Sequence, residues 1–174
     1  MKLPILKYYF PSPLSVKLCI YFTSSEPYLL EKVTLAQGKR SHVVECLLYA
    51  QTDACNPKLL HPIHLTLQWI IAYLARKTST VLPPMLWNAP SFTQKALEHL
   101  TCVPFGKSLS YQELASAIGH PKAARAVGNA LNKNPFPFFL PCHRIISKTG
   151  KIGGFAYPLS LKQALLTFEN STSL

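Results

Sequence analysis

The first part of the chain alternates loosely between apolar and polar positions. KLCIYF at 17–22 and HVVECLLYA at 42–50 follow this pattern, which is typical of strands with one buried face. Apolar residues then recur at helical spacing over 65–77. The pattern therefore predicts a small α/β domain in this part of the chain.

In the second part, the apolar spacing changes to that of short helices. Residues 92–100 form one predicted helix, and VPFGK at 103–107 is predicted to be a turn. Ser110 and Glu113 have the spacing of a capping box, in which each side chain bonds the backbone amide of the other residue. A helix is therefore predicted to begin at Ser110 and to end at Gly119, because glycine favours helix termination.

A second short helix is predicted over KAARAVGNALNK at 122–133. Pro121 would lie in its first turn, where a missing amide proton is tolerated. Two short helices joined by a glycine-containing turn indicate a helix-turn-helix, although any helical hairpin shares this outline. The second part is therefore expected to be mostly helical.

Proline, serine and threonine concentrate in TSTVLPPMLWNAPS at 78–91. Such clusters mark linkers and domain junctions, because they interrupt both helical and strand patterns. We therefore divide the chain into a divergent amino-terminal α/β domain at 1–85 and a second domain at 86–174.

The chain is strongly basic, with 18 Lys and Arg against 7 Asp and Glu and a net charge of +11. Both parts of the chain have an excess of basic residues, since 1–85 holds 9 basic and 4 acidic residues and 86–174 holds 9 basic and 3 acidic residues. Such a field attracts polyanions, so we expect nucleic acid or another anionic surface as the partner. A solvated basic face is the alternative explanation.

The cysteines do not indicate a disulfide framework or a zinc ribbon, because they are odd in number and include no CxxC pair. They are Cys19, Cys46, Cys55, Cys102 and Cys142. A group of histidines and cysteines in the first part matches no standard metal-site spacing, so we expect no metal there. That group comprises His42, Cys46, Cys55, His61 and His64.

The apolar segments are too short or too interrupted to suggest a membrane protein. Prolines and Lys17 break the apolar run near the start, and WIIAYLA at 69–75 is shorter than a bilayer span. Together with the cysteine usage, this leads us to expect a reducing, cytoplasmic location and no membrane association.

The second predicted helix of the helix-turn-helix has unusually small side chains, at Ala123, Ala124, Ala126, Gly128 and Ala130. Small residues suit either tight helix packing or insertion into a nucleic-acid groove. Packing alone fits poorly with the cations on the same segment, so we favour the groove. Those cations are Lys122, Arg125 and Lys133.

LPCHRII at 140–146 carries the most reactive-looking residues of the chain. A cysteine becomes a nucleophile when a nearby base or cation stabilises its thiolate, and His143 and Arg144 follow Cys142 directly. The apolar residues on either side predict a buried backbone that positions this turn. A buried, unreactive cysteine remains the alternative for an isolated Cys-His pair.

Four segments, taken in order, closely resemble the O6-alkylguanine-DNA alkyltransferases. They are VPFGKSLSYQELA at 103–115, PKAARAVGNAL at 121–131, NPFPFFLPCHRII at 134–146 and GGFAYPLSLKQALLTFE at 153–169. The amino-terminal part resembles the family only weakly, through QWIIAYLARK at 68–77. The resemblance implies DNA repair by transfer of an alkyl group from guanine O6, and less readily from thymine O4, to a cysteine of the protein.

The resemblance also implies roles for five residues. Cys142 would be the nucleophile and irreversible alkyl acceptor, so that each molecule acts once. His143 would be its general base through a water, and Glu169 would orient His143. Tyr111 would give a proton to the departing guanine, and Asn134 would be the hinge between the recognition helix and the site.

Further residues would bind DNA and the flipped base. By the resemblance, Arg125 fills the gap left in the stack, and the small-faced helix enters the minor groove through Lys122, Ala124, Ala126 and Gly128. The base pocket would use backbone groups, including those of Ile145 and Ala156, with Tyr157 at its rim. The family implies no cofactor, and we expect a monomer that acts on double-stranded DNA containing alkylated guanine or thymine.

The sequence departs from the family at the pocket rim, where Tyr157 and Pro158 replace a pair of glycines. These residues should make the rim bulkier and stiffer, so we expect methyl adducts to be repaired better than benzyl adducts. The zinc site of some members is not recognisable in the amino-terminal part, which agrees with the expectation of no metal.

Two other functions fit parts of the pattern. A lesion-binding alkyltransferase-like module would keep the helix-turn-helix and pocket without transfer, but such modules replace the cysteine, and Cys142 is present. A cysteine hydrolase could use Cys142, His143 and Glu169 and would turn over repeatedly. It would have no need of Arg125 or of the +11 charge.

Overall fold

The computed structural model describes residues 5–9, 16–23, 29–37, 44–47, 57–77 and 81–170. They divide into two compact units, one within Met1–Trp87 and the other within Asn88–Leu174. The combination of a sheet in the first unit and mostly helices in the second confirms the predicted α/β class.

The first unit contains an antiparallel sheet of four strands in the order β3-β2-β1-β4. The strands are β1 (Ile5–Tyr9), β2 (Val16–Phe22), β3 (Leu30–Gln37) and β4 (Val44–Leu47). Alternate residues of β2 are buried, so one face of the strand enters the core as the period of two requires. The predicted strand at 42–50 is confirmed over β4, and its other positions lie outside the described residues.

Helix α1 (Pro57–Leu74) begins earlier and ends sooner than the predicted segment at 65–77. Pro62 lies inside the helix and is buried. The Thr66 hydroxyl donates to the Pro62 carbonyl at 2.7 Å, and the apolar face around it packs inward. Burial of that face therefore outweighs the local cost of a proline within a helix.

The second unit contains four α-helices and one short parallel ladder among its described residues. The helices are α2 (Ser91–His99), α3 (Tyr111–Ala117), α4 (Ala124–Asn132) and α5 (Leu159–Asn170), and the ladder joins β5 (Leu109–Ser110) to β6 (Ile145–Ile146). Single 3-10 turns occupy Leu100–Cys102 and Cys142–Arg144. No helix within the described ranges has the length and apolar character needed to cross a bilayer.

The predicted capping box and the predicted glycine at the end of α3 are confirmed. Glu113 N donates to Ser110 Oγ at 3.1 Å, and Ser110 N donates to Glu113 Oε2 at 2.7 Å, which completes the capping box. Gly119 adopts φ +85°, a left-handed conformation that glycine takes without strain. Its position after α3 explains why the helix ends there.

The start of α4 differs from the prediction. Pro121 does not lie in its first turn, because Pro121 and Lys122 form a separate turn before the helix begins at Ala124. The Pro121 carbonyl accepts a hydrogen bond from the Gln112 side chain of α3, and Ala123 N donates to His120 O at 2.8 Å. These bonds stabilise the turn between the two helices of the helix-turn-helix.

The β5–β6 ladder determines which residues surround the Cys142 turn. It places Ser110 opposite Ile146, so the first residue of α3 lies beside the chain that leaves Cys142–Arg144. Tyr111, the first residue of α3, therefore lies near the Cys142 turn although the two are distant in sequence.

Candidate active site

Cys142 lies at the start of a buried 3-10 turn. Its side chain is 6% exposed, and its amide donates to Leu140 O at 2.8 Å. The preceding apolar residues Phe138, Phe139 and Leu140 are also buried, which confirms the prediction of a buried backbone at this turn. Burial raises the pKa of the Cys142 thiol, while the Asn134 side chain and the Lys162 ammonium act to lower it.

The carboxylate of Glu169 reaches His143 from the last turns of α5. His143 Nε2 and Glu169 Oε1 are 2.8 Å apart, and both side chains are almost fully buried. The structure therefore brings together His143, in the turn that begins with Cys142, and Glu169, and the resemblance implies these two residues as the base and its orienting carboxylate.

Glu169 is bound by further donors. Arg144 Nε donates to Oε2 at 2.8 Å and Nη2 donates to Oε1 at 3.0 Å, while the Gly106 amide donates to Oε2 at 3.2 Å. Burial by itself raises the pKa of Glu169, but the hydrogen bonds and charges of His143 and Arg144 outweigh it and lower this pKa to about 2. Glu169 therefore stays ionised at neutral pH.

An ionised carboxylate can only accept, so the hydrogen between Glu169 and His143 belongs to Nε2 of the imidazole. Burial lowers the pKa of His143, and the opposing effect of Glu169 is partly offset by Arg144 and Lys162, so the ring is neutral at pH 7. Nδ1 is then the unprotonated nitrogen. It is buried and has no hydrogen-bond partner within the described part of the chain, which leaves it able to accept a proton.

Tyr111 packs between two glycines. Cβ atoms added at Gly128 and Gly153 would lie 3.8 Å and 3.1 Å from the Tyr111 ring. The Tyr111 hydroxyl donates to Gly154 O at 3.1 Å. Burial, followed by the nearby Cys142, raises the pKa of Tyr111, so the phenol keeps its proton at neutral pH.

Asn134 closes the loop between α4 and the Cys142 turn. Its Nδ2 donates to Leu140 O at 2.8 Å, and its Oδ1 accepts from Phe136 N at 2.9 Å. One side chain thus satisfies a backbone acceptor and a backbone donor in a loop whose prolines remove donors. Both bonds lie within the loop, so the role of Asn134 as a hinge for the recognition helix stays a prediction.

Arg144 connects the site to the turn at 103–107, a connection that the sequence analysis missed. Its Nη1 donates to Val103 O at 2.7 Å, and its guanidinium lies 5.7 Å from the centre of the Phe105 ring. Gly106 adopts φ +71°, and a Cβ there would lie 3.0 Å from the Glu169 carbonyl. The turn therefore approaches α5 closely and supplies an amide to Glu169.

Lys162 is the second residue that sequence reasoning missed. It is fully buried, and its Nζ donates to Ile145 O at 2.6 Å and to Gly154 O at 3.0 Å. The helical spacing of α5 could have indicated its burial, since Lys162 lies on the same face of the helix as the buried Leu165 and Glu169. A lysine at an inward position of an amphipathic helix indicates a buried charge.

The small side chains of the helix-turn-helix do not form one exposed face. Ala130 is buried, and Gly128 meets Tyr111, whereas Lys122, Arg125 and Ala126 are exposed. Ala123 and Ala124 are half-buried. The helix thus packs on one side and presents cations on the other.

The predicted pocket residues lie on two segments that follow Cys142 in the chain. Ile145 is buried, and its carbonyl accepts from Lys162. Ala156 is exposed in the loop before α5. Tyr157 is half-buried, and its ring centre lies 5.6 Å from that of Phe155.

No group of three or more histidine, cysteine or acidic side chains suited to a metal occurs in the described ranges, and His42 and Cys55 lie outside them. Taken together, the hydrogen bonds and burial of the site define a helix-turn-helix protein with a buried cysteine next to a neutral histidine, which donates to an ionised carboxylate.

Comparisons with known proteins point to the same class. The family described as 6-O-methylguanine DNA methyltransferase, DNA binding domain, matches residues 91–171. A human methylated-DNA–protein-cysteine methyltransferase is 44% identical over 85 residues, which cover 48% of this chain and 41% of that protein. The constitutive methylated-DNA–protein-cysteine methyltransferase of Bacillus subtilis is 39% identical over 103 residues, covering 59% of this chain and 62% of that protein.

A solved structure is similar over most of the chain. The crystal structure of Mycobacterium tuberculosis OGT in complex with DNA has a TM-score of 0.65 and 25% identity, and the match covers 94% of this chain and 92% of that one. Residues 91–171 of this chain are therefore similar to the DNA binding domain of the 6-O-methylguanine DNA methyltransferases. The aligned segments span less than two thirds of the two curated relatives.

Proposed function

We propose that this protein repairs DNA by transferring an alkyl group, above all methyl, from guanine O6 to Cys142 in a single irreversible turnover. The observation that carries the proposal is the Cys142, His143 and Glu169 arrangement beside a helix-turn-helix with exposed cations. The similarity of residues 91–171 to that DNA binding domain and the named activity of the curated relatives support the reaction type.

The transfer begins with removal of the thiol proton from Cys142. Nδ1 of His143 is the unprotonated nitrogen, so it receives this proton through one bridging water, and Glu169 stabilises the resulting imidazolium. The thiolate attacks the alkyl carbon, the sulfur–carbon bond forms and the bond from carbon to O6 breaks. Because the product is a thioether, water does not regenerate the thiol and the protein acts once.

Tyr111 supplies a proton to the departing guanine. Its hydroxyl donates to Gly154 O before the base enters, so it must exchange that acceptor for the base. The exchange does not leave Gly154 O without a donor, because Lys162 Nζ also donates to it. The raised pKa of Tyr111 keeps the proton on the phenol until the leaving group develops charge.

The exposed side of α4 and its preceding turn bind the duplex. Lys122 neutralises phosphates, and Arg125 fills the space left by the flipped base. Ala126 lets the helix approach the groove closely. Ala124 and Gly128 keep the inner side of the helix against the site. Ile145, Ala156 and Tyr157 line the base pocket, and Asn134 links the DNA-binding helix to it.

O4-alkylthymine is a second substrate under this proposal. Contacts made by backbone groups, such as the Ile145 carbonyl, depend on base shape less than side-chain contacts do. The pocket can therefore accept a flipped pyrimidine as well as a purine.

The direct test is peptide mass spectrometry after the protein is mixed with duplex DNA containing one O6-methylguanine. We expect one methyl on the Cys142 peptide in stoichiometric amount, and none in a Cys142→Ser control. Lesion binding without methylation would instead indicate the lesion-binding module. Repeated turnover of a thioester or ester substrate, absent in Cys142→Ser, would indicate the cysteine hydrolase.

A further inference from the structure

Lys162 is a buried cation whose hydrogen-bond acceptors are neutral. Its side chain is fully buried, and within the described part of the chain its ammonium donates to the carbonyls of Ile145 and Gly154. The ring of Phe155 lies 5.9 Å from Nζ and adds a weak attraction. This arrangement differs from that of Arg144, whose guanidinium is paired with the Glu169 carboxylate.

A buried ammonium without a carboxylate partner is costly, because two carbonyl dipoles replace only part of its hydration. An apolar residue would continue the pattern of Leu161 and Leu165 on the inner face of α5. The lysine is therefore better explained by an anion that forms during the reaction. The Cys142 thiolate is the candidate, because Lys162 binds the carbonyl of Ile145, which directly follows the Cys142–Arg144 turn.

We propose that Lys162 is a positioning residue of the transfer, whose ammonium holds the Ile145 and Gly154 carbonyls in place and stabilises the Cys142 thiolate. This inference rests on the proposed function for its role in repair. The stabilisation of the Cys142 thiolate by Lys162 concerns the thiol alone, so it can be tested without DNA.

The titration of the neighbouring groups agrees with this role. Burial lowers the pKa of Lys162 to about 8, and the nearby Cys142 acts to raise it, so the ammonium form predominates at neutral pH. In return, Lys162 acts to lower the pKa of Cys142 against the larger effect of burial. Lys162 and Arg144 also lower the pKa of His143, which keeps that imidazole neutral and ready to accept a proton.

The two carbonyls place Lys162 where it can also control geometry. Ile145 follows the Cys142–Arg144 turn directly, and Gly154 accepts the Tyr111 hydroxyl as well as the ammonium. One side chain of α5 therefore joins the segment that carries the nucleophile to the loop that holds the phenol. Loss of the Lys162 charge should change the pKa of the thiol, whereas loss of its two hydrogen bonds should change the positions of the Ile145 and Gly154 carbonyls.

The test measures how fast iodoacetamide alkylates Cys142 as a function of pH, read on the Cys142 peptide because other cysteines react as well. Lys162→Met removes the charge, Lys162→Arg keeps it, and Lys151→Met removes an exposed lysine of the same unit as a control. We expect Lys162→Met to raise the thiol pKa by about one unit, which slows alkylation near neutral pH about tenfold. Lys162→Arg should restore most of the rate, and Lys151→Met should leave it unchanged.

Each outcome bears on one proposal or the other. An unshifted profile in folded Lys162→Met protein would overturn the role of Lys162, whether or not DNA is repaired. A shifted profile in a protein that takes no methyl from O6-methylguanine DNA would support Lys162 and reject the proposed function.

A second measurement does not depend on whether the methionine variant folds. In the unaltered protein, the alkylation rate of Cys142 should rise clearly less than tenfold between pH 7 and pH 8, because Lys162 begins to lose its charge over that range. A full tenfold rise would remove Lys162 as the partner of the thiolate.

Discussion

At the residue scale, the carboxylate of Glu169 is the most constrained group of the site. His143, Arg144 and the Gly106 amide all donate to it, so its lone pairs are occupied and it has no tendency to take a proton. Under the proposed function, Glu169 selects the tautomer of His143 and stabilises the imidazolium, while the transferred proton remains on His143.

Replacing Glu169 with glutamine should slow methyl transfer by about a hundredfold, the lower end of what a positioned general base contributes, and leave DNA binding largely intact. The measurement is the single-turnover rate on O6-methylguanine duplex beside the Kd for the same duplex. Glu98→Gln on the exposed side of α2 is the matched control. An unchanged transfer rate would exclude Glu169 from the reaction.

The same carboxylate gives a pH dependence of stability. Its pKa is about 2 in the folded protein and 4.5 ordinarily, so its contribution is complete above pH 4.5 and is lost as the pH falls towards 2. The shift corresponds to roughly 3 kcal/mol in the free energy of unfolding. Urea unfolding between pH 5 and pH 2 should show this loss in the unaltered protein and a flatter dependence in Glu169→Gln.

Gly153 offers a clean test of the Tyr111 position. It adopts φ +68°, and a Cβ would lie 3.1 Å from Cε2 and 3.3 Å from the hydroxyl of Tyr111. Gly150 adopts φ +77° with open space around it, so Gly150→Ala carries the same backbone strain without the contact. We expect Gly153→Ala to reduce the transfer rate well below that of Gly150→Ala, and equal rates would mean that the ring position is unimportant.

Tyr157 is expected to govern the size of adduct that the pocket accepts. Its ring packs beside Phe155 on the loop before α5, which carries the proposed base-pocket rim. The unaltered protein should take methyl faster than benzyl from O6-alkylguanine, and Tyr157→Ala should raise the benzyl rate relative to the methyl rate. Leu159→Ala, a change at an exposed neighbour, should leave that ratio unaltered, and equal methyl and benzyl rates in the unaltered protein would refute the expectation.

At the scale of elements, α5 and α3 both supply residues of the site. The inner face of α5 holds both Lys162 and Glu169, so a single helix supplies the buried cation and the buried anion. The short ladder between β5 and β6 holds the start of α3 beside the segment that follows Cys142. The orientation of Tyr111 therefore depends on how α3 begins.

The capping box should set the stability of that start. Ser110→Ala removes the bond from Glu113 N and should lower the free energy of unfolding by about 1 kcal/mol, with a smaller loss of transfer through Tyr111. Ser116→Ala is the matched control, because Ser116 lies on the same helix and its hydroxyl donates to the Gln112 carbonyl, away from the helix start. Urea midpoints of both variants test the comparison, and a larger effect from Ser116→Ala would contradict it.

At the scale of the whole molecule, the net charge of +11 bears on association with DNA. Basic side chains displace counterions from the phosphates, so the affinity should fall as salt is added. The exposed cations Lys122, Arg125 and Lys133 lie on or beside α4, where the proposed contact is made.

Replacing those three cations with alanine should weaken DNA binding and reduce the slope of log Kd against log salt by about three. The matched control replaces Lys32, Lys77 and Lys95, which are exposed elsewhere and carry the same total charge. Fluorescence anisotropy across a salt series measures both slopes. Equal reductions would mean that only the net charge matters.

The sequence by itself determined those features that local rules control. The capping box of Ser110 and Glu113, the stop at Gly119 and the buried residues before Cys142 follow from backbone hydrogen bonding and from side chains a few positions apart. The candidate residues Cys142, His143 and Glu169 were found through motif resemblance, which records spacing along the chain.

Only the tertiary structure decided which distant groups meet. Lys162 lies against Ile145 and Gly154, and the turn that contains Gly106 reaches Glu169, because α5 packs across segments far away in the sequence. The same holds for Pro62, whose helix forms because one face is buried in a core that a local pattern does not specify. Sequence neighbours determine how a segment bends, whereas burial and charge pairing depend on the partners that folding brings to it.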